Sequence, residues 1–265
     1  MAIYLFTSGT TWTIPAGVTD IQVECFGGMP FSFVSPYCGG SYAKTNSIAV
    51  TPGNTLRISI SSDSGSGDSW ATTVATGTPV VGATYTTSNS CLAKGGTLVA
   101  SSQTLSSIGN LKYAGGNINF YSGGVPGTGG QAGPNGPGGN GGASGNNWGK
   151  VFGAGGGANG GTAPQNLGSF NTPGYGRGGS GNPQGWGGYR DNTNPSLLYS
   201  PTQDVLGTTN FVNNVASVIN YGPKGGSPTE TDCCCTRLFR AIPAFIVITT
   251  ASPSTTNTSN FFQFF

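Results

Sequence analysis

The side chains best placed to move protons in this chain are its few carboxylates, because it contains no histidine. Without an imidazole, Ser-His-Asp and Cys-His arrangements are excluded, and the usual proton shuttle near neutral pH is missing. Cleavage of a glycosidic bond would need two carboxyl groups held a set distance apart. Asp63 with Asp68 and Asp191 with Asp204 are the candidate pairs. Nothing in the sequence brings either pair into a cleft, and acids among Ser, Asn and Gly read as solvated loop groups. The chain is therefore not expected to be an enzyme, and no cofactor is expected.

Thiol chemistry is the second option. Cys25, Cys38, Cys91 and the run Cys233-Cys234-Cys235 do not reproduce the spaced pairs of a structural zinc site, and no histidine is available to complete one. No metal site is expected. A bridge from the triplet to an N-terminal cysteine competes with free, buried cysteines of the kind common in reducing compartments. Two further patterns carry no weight. Gly174 to Gly179 satisfies G-x-G-x-x-G, but no strand precedes it and no helix follows. Gly65-Ser66-Gly67-Asp68 resembles one calcium-binding repeat, whereas such sites need stacked repeats.

Recognition is the chemistry that remains. Tyr121, Trp148, Phe152, Phe170, Tyr175, Trp186 and Tyr189 sit among residues too small to bury them, and Arg177 and Arg190 lie beside two of these rings. Aromatic rings on rigid supports bind sugars and protein surfaces, and a guanidinium adds directed hydrogen bonds. These nine residues are the candidate receptor contacts. The alternative is that the rings plug or cap their own domain.

Three regions must hold these groups. Residues 1–114 read as a β-rich framework, since short alternating apolar runs are separated by turn residues. Ile21, Val23 and Cys25 share one face, as do Leu56, Ile58 and Ile60, and Pro52-Gly53-Asn54 marks a turn. Pro15-Ala16-Gly17 likewise separates two strands, which predicts a sandwich-like domain.

In residues 115–188, 30 of 74 positions are Gly, too many for ordinary strands or helices to pack. From Gly124 to Gly145 every third residue is Gly, the period of a polyproline II helix. A collagen-type triple helix, a bundle of polyproline II-type helices within one chain, and disorder compete for this segment. The glycine doublets after Gly145 and the Trp148 that breaks the register favour the bundle, with neighbouring backbones satisfying one another.

Residues 189–265 return to β-character at Ala244 to Thr249, a strand expected to rejoin the framework, before an aromatic tail at Phe261, Phe262, Phe264 and Phe265. The expected fold is thus mostly β: a β-sandwich-like framework carrying a glycine-rich insert that forms a polyglycine/polyproline II helix bundle.

Charge narrows the partners. Only 7% of residues are charged, ten basic against eight acidic, so neither a nucleic-acid footprint nor charge-driven disorder is present. No apolar run approaches the roughly 20 residues that span a bilayer, and the first residues lack a signal-peptide pattern. Neither nucleic acid nor membrane insertion is expected.

Within the framework, Phe6-Thr7-Ser8-Gly9-Thr10-Thr11-Trp12-Thr13-Ile14-Pro15-Ala16-Gly17-Val18-Thr19-Asp20-Ile21-Gln22-Val23-Glu24 resembles the opening strand pair of glycine-rich bacteriophage tail-fibre adhesins. Gly27-Gly28, Gly39 to Lys44, Val50 to Leu56 and Pro243 to Thr249 continue the resemblance in order. It covers roughly the first 60 residues and the final strand, and matches the glycine-rich body in character only. After Gly28 the family usually continues with glycines, whereas this chain has Met29-Pro30-Phe31.

The resemblance implies a virion protein at a fibre tip that binds a host cell-surface glycan or outer-membrane protein through loops displayed by packed polyglycine II helices. It also implies contacts with other virion tail proteins and a homo-oligomer, a trimer being usual for fibres. The rival expectations are a purely structural decoration or fibre subunit and, less favoured, a polysaccharide depolymerase.

Overall fold

The computed structural model describes residues 2–29, 38–61, 67–96, 101–118, 129–141, 160–161, 230–231, 237–238 and 244–251. These are mostly β-structure in two antiparallel sheets, with one helix of six residues among them, α1 (Ser101–Ser106). The larger sheet runs β1 (Ala2–Phe6), β11 (Phe245–Thr250), β3 (Asp20–Phe26), β4 (Tyr42–Ala49) and β8 (Leu111–Tyr113) in spatial order. The smaller runs β2 (Thr10–Thr13), β5 (Thr55–Ile60), β6 (Ser69–Thr72) and β7 (Ser90–Ala93). A separate two-stranded ribbon pairs β9 (Glu230–Thr231) with β10 (Arg237–Leu238).

Alternation in β3 does what its sequence requires. Ile21, Val23 and Cys25 are fully buried, and Gln22 and Glu24 lie on the opposite face, half-buried. Leu56 and Ile58 of β5, Ala71 of β6 and Cys91 and Ala93 of β7 meet them from the smaller sheet in one shared core, joined by Ile48, Ile246 and Ile248. β11, between β1 and β3, is buried on both faces, Ile246 and Ile248 in the shared core and Phe245 and Val247 in a second cluster on the other side, which explains a run that does not alternate. Gly17 and Gly53 take φ of 77° and 82° in the turns that follow β2 and β4, a region that L side chains rarely enter.

β6 and β7 are built from small and polar residues, and their burial depends on hydrogen bonds. Thr72 and Ser90 hydroxyls pair at 2.7 Å, Ser69 donates to the Phe26 carbonyl at 2.9 Å, and Thr45 donates to the Ser90 carbonyl at 3.0 Å. Each satisfies a group that would otherwise be stranded in the core. Cys25, Cys38 and Cys91 are buried; the Cys233 triplet lies outside the described residues.

On the outer face of the larger sheet, one aromatic row crosses four strands at matching registers: Phe245, Phe26, Tyr42 and Tyr113. Phe245 and Phe26 stack at 4.1 Å between centroids, and Phe26 meets Tyr42 at 5.0 Å. The row stands at the end of the sheet where Phe26, Tyr42 and Tyr113 adjoin glycine-rich segments in sequence.

Candidate functional site

At the aromatic row the strands of both sheets run on into glycine segments. β3 continues into residues 27–29, β7 into 94–96 and β8 into 114–118, while 38–41 leads into β4. Residues 129–133 and 136–141 lie beside them, and the chain reverses between Gly133 and Gly136, which bridge each other antiparallel. Gly136 has φ of 143° at that reversal. A straight collagen-type rod through residues 129–141 is incompatible with it.

These segments bond in closed rings. Gly39 donates to the Gly116 carbonyl (2.9 Å), Gly116 to Gly130 (2.8 Å), and Ala132 back to Gly40 (2.9 Å). Gly130 also donates to Gly139 (2.9 Å) and Gly138 to Ala114 (3.1 Å), closing a second ring that shares the Gly116 bond. A third runs from Gly27 to Ser41 (2.8 Å), Ser41 to Lys94 (2.9 Å) and Gly96 to Gly28 (2.7 Å).

Three successive amides in one segment point to three different partners. Gly115 N–H donates to Gln103 Oε1 (3.0 Å), Gly116 N–H to the Gly130 carbonyl (2.8 Å), and Asn117 N–H to Asn140 Oδ1 (2.8 Å). A β-strand offers its amides alternately to two sides, and these three amides do not follow that alternation.

Glycine is compulsory here for reasons of distance. A Cβ on Gly39, Gly40, Gly115, Gly116, Gly129 or Gly138 would fall 1.7 to 1.9 Å from a backbone carbonyl oxygen of a neighbouring segment. Backbone cannot swing aside as a side chain can, so any substitution must part the segments.

Amide side chains complete the network where no backbone is available. Gln103, 1% exposed on α1, donates through Nε2 to the Gly39 carbonyl (3.0 Å) while accepting from Gly115. Gln131, fully buried, donates to the Gly27 carbonyl at 2.5 Å. Ala132 packs directly on the aromatic row, so the glycine network rests on Phe26, Tyr42 and Phe245. Ser107 holds the junction, its hydroxyl pairing with Ser41 at 3.2 Å and donating to the Gln103 carbonyl at 2.7 Å.

Charge around the network is committed to structure. The Asp68 carboxylate takes Lys94 Nζ and the Gly95 amide (2.8 Å). Glu24 pairs with Lys44 at 3.4 Å on the outer face, and burial raises its carboxyl above the ordinary range against the pull of Lys44. Burial, then the Glu24 charge, pushes the Tyr42 phenol far up. Burial also raises the Cys25 thiol well above its usual value, with the neighbouring Cys91 adding to the effect.

Of the sequence candidates, Tyr121, Trp148, Phe152, Phe170, Tyr175, Arg177, Trp186, Tyr189 and Arg190 all lie outside the described residues, as do Asp63, Asp191 and Asp204. Asp68 is described, and its ion pair with Lys94 makes it a structural group. Among the described residues no cluster of three metal-ligating side chains occurs. Sequence reasoning missed Gln103, Gln131 and Asn140, since isolated amides in polar stretches carry no pattern.

It also missed the loop 73–89 at the far end of β6 and β7. Arg57 braces that loop through the carbonyls of Val74 (3.1 Å) and Gly77 (2.9 Å), and Tyr85 through that of Thr76 (2.7 Å). Val80 and Val81 stand on it 63% and 57% exposed. No family model matches the chain, and no curated protein or solved structure shows significant similarity to it.

Proposed function

We propose that this chain is a bacteriophage tail-fibre or fibre-tip protein that attaches the particle to a bacterial surface glycan or outer-membrane protein, without covalent chemistry. A sandwich-like framework carries a polyglycine II lattice, and loops of the glycine-rich region 115–188 make the contact. The observation that carries this reading is the threefold dispersal of the Gly115, Gly116 and Asn117 amides within closed rings of glycine segments. Such a lattice gains no catalytic group, yet it holds neighbouring backbones rigidly enough to present short loops at fixed spacing.

The resemblance in Phe6 to Glu24 supports the same reading, because those residues form the end of β1, β2 and most of β3, which lead into the lattice. On this reading the protein belongs to the virion, beside other tail proteins and further copies of itself. The commitment of Asp68 to Lys94 counts against a depolymerase built on Asp63 and Asp68. A purely structural subunit is the second reading, favoured by the half-exposed apolar strand β1 at a sheet edge.

The test is adsorption of labelled, purified protein to intact cells of the hosts that the parent particle infects. Saturable adsorption, abolished by joint Ala substitution of Tyr175, Trp186 and Tyr189 in a protein that keeps its circular dichroism spectrum, is the expected result. No adsorption to any such host overturns the proposal in favour of the structural subunit.

A further inference from the structure

The two sheets are not evenly spaced. At one end they merge through backbone bonds between the extension of one sheet and that of the other: Gly28 donates to the Gly67 carbonyl (2.6 Å), Gly96 to Gly28 (2.7 Å) and Ser41 to Lys94 (2.9 Å). Just inside that junction the gap is one short side chain wide. Ser69 of β6 reaches the Phe26 carbonyl of β3 (2.9 Å), and Thr45 of β4 reaches the Ser90 carbonyl of β7 (3.0 Å). Face-to-face sheets ordinarily stand about 10 Å apart, with longer side chains filling the space from both sides.

Cys25 and Cys91 lie in this narrow zone, one in each sheet, and both are fully buried in the shared core. Cys25 Sγ lies 3.6 Å from the Cys91 carbonyl oxygen. Cys91 Sγ lies 3.4 Å from the carbonyl oxygen of Ala43, the residue paired with Cys25 across β3 and β4. Each sulfur thus reaches the strand pair that carries the other, and the two side chains interact directly. A disulfide needs Cα atoms within about 7 Å and side chains aimed at each other. Convergence of the sheets supplies the approach, and the reciprocal sulfur contacts supply the aim. Cys38, the third described cysteine, packs apart from them in a cluster with Ile118.

We infer that Cys25 and Cys91 form a disulfide that fastens the two sheets when the chain folds in oxidising surroundings, and stay as buried thiols when it folds in reducing ones. The oxidant is a small-molecule disulfide. One cysteine thiolate attacks it, forming a mixed disulfide and expelling one small thiolate; the second cysteine thiolate attacks the protein sulfur of that intermediate and expels the other. Two protein thiols lose two protons and two electrons, and the small disulfide is reduced to two thiols. Burial sets the timing: neither sulfur is reachable once the sheets have closed, so exchange precedes closure and the finished bond is shielded from reductant. Attachment to a host plays no part in the argument, so the inference stands or falls separately from the proposed function.

The experiment is cell-free synthesis of the full chain in two buffers, one with dithiothreitol and one with reduced and oxidised glutathione. Each product is alkylated in denaturant, digested without reduction and mapped by mass spectrometry. The expected result is a peptide pair linked through Cys25 and Cys91 in the oxidised preparation, and none when the already folded, reduced protein is moved to the oxidising buffer. Thermal melting gives a second readout: the oxidised protein should melt about 5 °C or more above the reduced one, because the cross-link closes a long loop, and Cys91→Ala should lose that difference. Three outcomes would overturn the inference: both residues recovered as thiols from the oxidised preparation, either one linked instead to Cys38, Cys233, Cys234 or Cys235, or a linked chain that lacks the circular dichroism spectrum of the reduced protein.

Discussion

Gly116 and Gly130 meet through a 2.8 Å backbone hydrogen bond that two of the closed rings share. That bond depends on bare backbone at Gly116, where a Cβ would lie 1.8 Å from the Gly139 oxygen.

Gly116→Ala should therefore cost about 3 kcal/mol or more, the upper range for forcing an extra group into packed surroundings. Gly82→Ala, at a position with open space and no left-handed φ, should change stability by less than about 1 kcal/mol. Urea denaturation of both variants checks the contrast. Equal, small effects would mean that the rings contribute little to stability.

Gln103 joins Gly39 and Gly115 through both ends of one buried amide. Gln103→Leu keeps much of the volume and strands two buried backbone groups, so a loss of about 2–4 kcal/mol is expected. Gln103→Asn, one methylene shorter, should recover little of it, because both bonds require the reach. Thermal melts of the two variants, beside that of the parent protein, test the point.

The pH behaviour of Glu24 follows from its burial. Its folded-state carboxyl is raised, so the folded protein binds that proton more tightly than the unfolded chain does. The resulting stabilisation is complete below the unfolded carboxyl range and is lost as pH rises through the raised value. Glu24→Gln removes this dependence, and its stability relative to the parent should improve steadily from acid towards neutral pH. Denaturation midpoints measured at matched ionic strength across that interval would show the trend or its absence.

Cys25 and Cys91 face the shared core and the Cys25 thiol is strongly disfavoured as thiolate. Neither should react with an alkylating reagent in the native protein, and both should react once it is unfolded. Peptide mapping after labelling distinguishes them from Cys233, Cys234 and Cys235.

What the sequence made legible was periodicity. Ile21, Val23 and Cys25 read as an inward face, and so did Leu56 and Ile58, because alternation in a strand buried on one side is a local signal. Ser69 to Thr72 and Ser90 to Ala93 gave no such signal, since hydrogen bonds between Thr72, Ser90 and Thr45 make small polar residues acceptable in a core. The period of three was visible only from Gly124 to Gly145.

Gly27, Gly39, Gly40 and Gly96 belong to the same rings but occur as short pieces far apart in sequence. A fragment of two or three residues cannot display a period, so their shared role emerges only when the sheets bring them together. Gln103 and Gln131 were illegible for a related reason: each replaces a missing stretch of backbone, a need defined by tertiary arrangement alone.

The reversal between Gly133 and Gly136 places two different constraints on glycine within one short stretch. Along the segments, a methyl group would meet a neighbouring carbonyl; at the bend, the backbone angle of Gly136 imposes glycine for a second, independent reason. Sequence drift in these segments is therefore confined to positions that already carry a side chain.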